Sequence, residues 1–292
     1  MTLGKHRREG LLTVTYDLDE TTMRRLVAAA LTTHRERPGR FLALAVAAAS
    51  PLADVARTVE RMVFEETFEM DAQTMTTEYR RYEDDSLFFL VLDRRTGLPA
   101  GAARVVDGGG KTLDDAPACI DTDLSTIVAL HGMHTGRIWD FATLAVLPAY
   151  RGGRSGLAVS SLLYRTFLNA GRLAGVRHLV AMLDYRAHRN LKLIGVEFAP
   201  MAGSAPFDYL GSPSTEALHT PFPELIPSIA RQAGRLRRPG SDFRGSIRGR
   251  GLRKMITRRI AARVAGQISS GDGLDASIVL PGLDRRQLER AR

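Results

Sequence analysis

From Ile138 to Leu147 the chain is almost unbroken apolar residue, with only Asp140 and Thr143 as exceptions, and Pro148 ends the run. Such a run bounded by proline predicts a strand. Gly152, Gly153 and Gly156 follow and open an apolar stretch that predicts a helix over 156–173, with Ser155 as its N-cap. Val176 to Leu183 predicts the next strand. A strand, a glycine-rich turn, a helix and a second strand in this order confine the chain to an α/β fold. They also place a cluster of free backbone N–H groups at a helix start, where the helix dipole adds partial positive charge and a phosphate is welcome. Arg151 and Arg154 flank the turn and can hold further phosphate oxygens. The Gly-Lys-Ser/Thr of a nucleotide-triphosphate loop is absent. A dinucleotide-binding reading, with Asp184 on a ribose, stands as a rival. It requires Pro148-Ala-Tyr-Arg151 to intervene between strand and glycines, and its Gly-x-Gly-x-x-Gly order is not met.

Upstream, the spacing predicts helices over 20–35 and 51–68, the second begun by Pro51 and carrying Val55, Val59, Met62 and Val63 on one side. Phe41 to Ala49 is apolar and reads as a buried helix, far too short to span a bilayer. Phe88–Leu92 and Gly101–Val106 flank a turn containing Gly97 and predict a β-hairpin. Residues 107–123, rich in Gly and Asp, read as a loop, and Leu124–Leu130 as one or two helical turns. Ala187–Ile194 predicts a helix stopped by Gly195, and short runs between 198 and 222 read as closing strands. The organisation expected is a helical lead-in over 1–50, a catalytic-type α/β domain over 51–230, and an Arg-rich extension over 231–292, partly helical or disordered.

Charge separates that extension from the body. The whole chain carries a net +9, yet 231–268 alone holds twelve Lys or Arg against one acid, Asp242, so the remainder is slightly acidic. This pattern fits a basic appendage over 231–268 that can bind an anionic membrane surface, nucleic acid or an acidic carrier protein, or can be a disordered, solvated tail, which its Gly and Pro content favours as a rival. Only Phe243 could stack on a base there, which argues against specific nucleic-acid binding. Residues 252–268 predict a cationic helix of poor amphipathicity, because Leu252, Ile256, Ile260, Val264 and Ile268 are spaced by four and drift around it. The single Cys119 excludes an internal disulfide framework, and no secretory leader is visible, so a cytoplasmic location is expected, peripheral at a membrane if the basic segment binds one.

Several side chains are candidates for chemistry. Asp140 lies inside an apolar strand, where a carboxylate needs a partner or a raised pKa. It can serve as a base toward an amine, or pair with Arg104 on the neighbouring strand, or both. Arg104 ends a Gly-Ala-Ala run and is a candidate for a substrate carboxylate or a plain strand arginine. Glu83, Asp84 and Asp85 can bind an amino group or form a solvated acidic loop. Trp139, beside Asp140, is a candidate substrate contact. His131 and His134 are a weak metal pair with no third ligand at metal-site spacing, and no metal is expected. His188 can face the cleft or solvent.

Val146, Pro148, Tyr150, Arg151, Gly152 and Gly156 together resemble the GNAT superfamily, whose strand ends near Val-x-Pro-x-Tyr-Arg-Gly before a phosphate loop and helix. The chain departs at Arg154, where the loop has Gly, and at Leu191, where a Tyr often acts on the leaving thiol; Tyr185 is a distant substitute. Over roughly 55–225, Val63-Phe64, Tyr82-Glu-Asp-Asp85, Gly101-Ala-Ala-Arg104 and Trp139-Asp140 resemble the N-acyl amino acid synthases and acyl-homoserine lactone synthases. The lactone synthases' Arg after the acidic strand residue is missing, since Phe141, Ala142 and Thr143 follow Asp140.

The resemblance implies a mixed, mostly antiparallel sheet flanked by helices and splayed beside Val146. It implies acyl transfer from a phosphopantetheine thioester, on coenzyme A or acyl-carrier protein, to an amine such as an amino acid, with no permanently bound cofactor. Leu144, Ala145 and Val146 would pair with the pantetheine arm, Arg151 through Leu157 would hold phosphate, and Asp140 would take the amine proton. Arg104, Glu83, Asp84 and Trp139 would contact the acceptor. A non-catalytic acyl-ligand sensor on the same fold is the alternative.

Overall fold

The computed structural model describes residues 14–237, 250–271 and 273–280, with side chains described outside 250–257. The glycine- and arginine-rich stretch 238–249 lies outside the described residues. The predicted helices form as α1 (Glu20–Thr33) and α2 (Pro51–Phe68), capped by the Asp19 and Ser50 side chains. The hairpin forms as β2 (Ser86–Asp93) and β3 (Leu98–Asp107), turning through Gly97 at φ 66°.

Two predictions are corrected. Phe41–Ala47 is a strand, β1, and not a helix. It pairs antiparallel with β2 and shows no period-two pattern because both its faces are covered. Phe41, Ala43 and Ala45 pack in the larger core, while Leu42, Leu44 and Val46 pack with α1 and α2 on the opposite face. Residues 107–123 are not a loop. Gly108 and Gly109 make a left-handed turn, and Gly110–Ile120 then forms a helix, with Leu113 and Ala116 buried. Between α2 and β2 the chain adds α3 (Ala72–Tyr79), so this helix over Gly110–Ile120 is α4, followed by α5 (Leu124–Leu130).

The strand β4 (Arg137–Val146), the helix α6 (Gly153–Leu173) and the strand β5 (Val176–Asp184) form the predicted unit. Next come α7 (Tyr185–Leu193), the short β6 (Ala199–Pro200) and β7 (Phe207–Tyr209), and β8 (Ser212–Pro221). The chain continues through α8 (Leu225–Arg237), α9 (Arg250–Ser270) and β9 (Ile278–Val279). The sheet runs β6-β8-β5-β4-β3-β2-β1-β9, with β7 on β8. Its pairs are antiparallel except β4 with β5 and β1 with β9. This order has no doubly wound parallel core, and Asp184 caps α7 by accepting from the Arg186 and Ala187 amides. The dinucleotide reading therefore loses both its sheet and its ribose ligand.

The sheet continues across residues 50 and 230, because β1 and β9 lie side by side at one end. In α9, Ala261, Ala262, Val264, Ala265 and Ile268 are buried, and the helix packs on α6 and α8. Arg258, Arg259 and Arg263 remain on its exposed side. Among the described residues no helix is long and apolar enough to cross a membrane.

Candidate active site

The cleft originates in a single extra residue. On β4, Thr143 faces Arg104 of β3 but Phe141 faces Val105, so Ala142 is a bulge. Bulges bend a strand and increase its twist. β4 and β5 pair only over Arg137–Asp140 and Val176–Val180. Beyond that point β4 keeps β3 alone and β5 keeps β8 alone, so the two parallel strands diverge. A cleft of about 430 Å³ occupies the divergence, lined by Phe141, Leu144 and Val146 of β4, Met182 and Leu183 of β5, and Phe64 of α2 among others.

Of the expected phosphate turn 151–157, Arg151 alone lines the cleft, and α6 starts two residues after it. The helix begins at Gly153, one turn earlier than the sequence suggests, with Gly152 as N-cap. Gly152 has no side chain to cap the first-turn amides, which have no intrahelical acceptor. Gly153 sits at φ 58°, and a Cβ on Gly152 or Gly153 would meet nothing within 4 Å, so the tip is open. Ser155 is therefore not the cap. It lies in the first turn, and its Oγ accepts from Arg40 Nη1 at 3.0 Å. Arg40 is itself clamped by Asp93, at 2.6 Å. Arg154 is exposed. Arg151 reaches back over the cleft: its Nε donates to the Val146 carbonyl at 2.9 Å, and its guanidinium pairs with Glu66 of α2 at 2.7 Å. Leu144 and Val146 line the cleft, Ala145 is buried on the α2 side, and Leu157 packs partly buried against the main core.

Gly156 has the tightest requirement in the turn. An added Cβ would lie 2.4 Å from the Tyr150 carbonyl oxygen and 3.2 Å from the Arg151 carbonyl carbon. Both are backbone atoms, so relief requires moving the turn itself. Gly156→Ala is expected to cost about 1–3 kcal/mol of stability and to weaken donor binding by displacing the first-turn amides. Thermal melting and the donor KM measure the two effects.

At the inner end Asp140 is 1 % exposed. Its Oδ2 accepts from the Thr112 amide at 2.9 Å and its Oδ1 from the Thr112 hydroxyl at 2.7 Å, both from the first turn of α4. Burial drives its pKa up to about 7, partly opposed by the Thr112 bonds. It is thus able to switch between a proton acceptor and a neutral acid near neutral pH. Around it stand Tyr79, Tyr209 and Lys111. Lys111 pairs with Glu78 at 2.6 Å and Asp115 at 2.8 Å, and Tyr209 donates to Asp115 at 2.6 Å.

The other expected acceptor contacts lie elsewhere. Arg104 is fully buried and pairs with Glu60 at 2.7 Å and Glu83 at 3.2 Å, not with Asp140. Glu83 is buried too and shared with Arg57 at 2.7 Å. Burial would raise its pKa, but Arg104 and Arg57 hold it below the usual carboxylate value. Trp139 belongs to the aromatic core, with ring centroids 6.1 Å from Phe167 and 6.4 Å from Phe222. Asp84 is exposed. None of these four lines the cleft. Their residue types suggested polar contacts, but their partners are distant in sequence.

Other candidates also resolve. His131 stacks on His219 at 4.7 Å, and its Nε2 accepts from the Ala202 amide. Among the described residues no group of three or more His, Cys, Asp or Glu side chains could hold a metal ion. His188 pairs with Glu216 at 2.6 Å. Burial pushes the Cys119 thiol up, away from a reactive thiolate. Sequence reasoning missed Thr112, Lys111, Glu66 and Tyr164, because α4 read as a loop and the other two read as helix surface and core.

A sheet that splays beside a bulged β4, with a glycine-opened helix joining its two diverging strands, is the GNAT-like arrangement the sequence resembles. No protein-family model matches the chain, and no curated protein matches it. Among solved structures it is similar to FeeM, an N-acyl amino acid synthase from uncultured soil microbes, with a TM-score of 0.49 and 14% identity, over 65% of this chain and 94% of that one. It is also similar to the CoA-dependent acyl-homoserine lactone synthase BjaI, with a TM-score of 0.44 and 15% identity, over 77% and 99% of the two chains. TofI, solved with an inhibitor and MTA, gives a TM-score of 0.45 at 14% identity, over 65% and 96%. These likenesses are remote, and the chemistry of the cleft rests on this chain's own residues.

Proposed function

We propose that the chain is an N-acyltransferase that moves an acyl group from a phosphopantetheine thioester to an amine. The observation that carries this reading is that one cleft is lined both by Arg151, which leads into the uncapped start of α6, and by the buried carboxyl of Asp140. The turn suits the donor's phosphates, with Arg151 and Arg154 at hand. The free edge of β4 at Leu144–Val146 offers backbone groups to the amides of the arm, once Arg151 leaves the Val146 carbonyl. Apolar walls from α2, β4 and β5 suit an acyl chain.

The amine lone pair attacks the thioester carbonyl carbon, and Asp140 takes the proton from the attacking nitrogen. The C–N bond forms, the C–S bond breaks, and sulfur leaves with the electron pair. Asp140 then returns its proton to solvent. Holding both reactants in one cleft supplies much of the acceleration. The donor is acyl-coenzyme A or acyl-carrier protein, and no permanently bound cofactor is required. We also propose that the exposed arginines of α9, Arg258, Arg259 and Arg263, face an anionic membrane surface from the cytoplasm.

The test is thiol release by the purified chain with acyl thioesters and pooled amines, joined to mass spectrometry of lipids from overproducing cells. An N-acyl product is expected with the native chain and not with Asp140→Ala. A product that persists in that variant removes Asp140 from the mechanism. Tight thioester binding with no thiol release across a broad amine panel favours a sensor on the same fold.

A further inference from the structure

Arg151 occupies the strand edge that a donor arm needs. The Leu147 amide donates to the Ala100 carbonyl of β3 at 3.1 Å. Backbone groups alternate in direction along an antiparallel strand, so the Val146 carbonyl points away from β3, into the gap beside β5. There it accepts from Arg151 Nε at 2.9 Å. The same guanidinium pairs through Nη2 with Glu66 of α2 at 2.7 Å. Arg151 and Val146 both line the cleft. The guanidinium thus reaches from the end of β4 to α2, across backbone that the amides of an arm would meet.

Packing does not require this arrangement. The side chains of Arg151 and Glu66 are 38% and 51% exposed, so water can hydrate both. An exposed pair of this kind is weak and readily exchanged for a better partner. A phosphate is such a partner, because it can take a guanidinium bidentately. Gly152 leaves the first-turn amides of α6 without a side-chain cap, and Arg151 lies two residues before that helix starts. The amides and the guanidinium can therefore close on the same anion.

The geometry points to Arg151 as a gating residue that makes binding of the arm conditional on a phosphate. This rests on the reading that the cleft takes a phosphopantetheine thioester, though not on turnover. Without a phosphate the guanidinium stays on the Val146 carbonyl, held there by Glu66, and an arm amide must displace it with nothing in return. With a phosphate the guanidinium transfers to the anion and the carbonyl is released to the arm. The gate discriminates against thioesters that end short of the phosphate. It acts on binding alone, and no covalent bond is made or broken. The phosphate at the end of the arm is common to coenzyme A and to a carrier protein.

The test measures binding by calorimetry with no amine present. The ligands are S-acyl pantetheine, whose arm ends in a hydroxyl, and S-acyl phosphopantetheine, which adds the phosphate. The native full-length chain is compared with Arg151→Ala and Glu66→Gln, neither of which removes a buried side chain. Arg151→Ala is expected to bind acyl-pantetheine about two- to fivefold more tightly and acyl-phosphopantetheine about 10-fold more weakly. Glu66→Gln should bind both more tightly, by about two- to fivefold. Acyl-coenzyme A and an acyl-carrier protein are compared in the same way, and the one that the native chain binds should follow acyl-phosphopantetheine. Weaker binding of both ligands by Arg151→Ala, or no gain for acyl-pantetheine in either variant, would overturn the gate and leave Arg151 a plain phosphate ligand. If the native chain binds none of these ligands, the donor reading fails and the gate fails with it. If the expected pattern appears and no amine releases thiol, the gate stands and the acyltransferase reading alone fails.

Discussion

Asp140→Asn is expected to abolish thiol release and, in the same protein, to raise the melting temperature at pH 8. The two effects share one cause. Burial lifts the carboxyl from an ordinary value of 3.8 to about 7, so the folded chain holds this proton more tightly than the unfolded chain. The unfolded state therefore binds fewer protons between these values, and stability falls as pH rises through that window. Below about pH 4 the carboxyl is neutral in both states and the penalty is absent. Above pH 7 the penalty is complete, and the distance between the two pKa values caps it at about 4 kcal/mol. Asparagine keeps an acceptor for the Thr112 amide and is neutral throughout. Its amide nitrogen would face the Thr112 hydroxyl, which can rotate to accept.

A net gain of about 1–3 kcal/mol at pH 8 follows, or several degrees in a chain of this size. The gain should shrink toward zero at pH 4. Activity should fall by about 10²–10⁴-fold, and native activity should climb with pH through 7 as the carboxylate forms. Melting curves of both proteins at pH 4, 6 and 8 carry the result. A temperature gap that does not change with pH would mean that Asp140 does not titrate in this range.

How far the sequence led depends on whether a residue's partners are local. The strand, glycine turn and helix around 138–173 were legible because apolar runs and glycines act within a few positions. The conflict between Asp140 and its apolar strand was visible for the same reason. Its resolution was not, because Thr112 lies 28 residues away on a helix hidden behind Gly108, Gly109 and Gly110. Gly108 and Gly109 make the turn and Gly110 opens the helix, yet in sequence the three read as a loop. Phe41–Ala47 shows the opposite ambiguity. A strand buried on both faces loses its alternation, so periodicity cannot separate it from a buried helix. Tyr164 lines the cleft but was concealed by its neighbours, since a phenol on an apolar helix reads as core until the cleft beside it is known.

Arg104 was the most instructive of the misplaced residues, and its replacement should have the largest effect on stability. It is fully buried, with Glu60 at 2.7 Å, Glu83 at 3.2 Å and the Tyr16 hydroxyl at 2.7 Å. Tyr16 in turn donates to Glu83 at 2.5 Å. Arg104→Met leaves Glu83 with Arg57 and leaves Glu60 with the Thr143 hydroxyl alone. Breaking a buried pair by removing one partner costs about 3–5 kcal/mol, because a charge remains without compensation. Burial already raises the pKa of Glu60, and Arg104 is the chief force opposing that rise. Without it Glu60 should fold protonated, so the destabilisation should be larger at pH 8 than at pH 5. Denaturant unfolding at the two pH values measures this difference. Arg104→Met combined with Glu60→Leu removes the stranded charge and should recover part of the loss, since a well-packed apolar pair can replace an ion pair at little cost. The acceptor KM of the folded fraction should stay near native, because Arg104 does not line the cleft. A large rise in acceptor KM with stability intact would return Arg104 to substrate binding, and would require a cleft different from the one between β4 and β5.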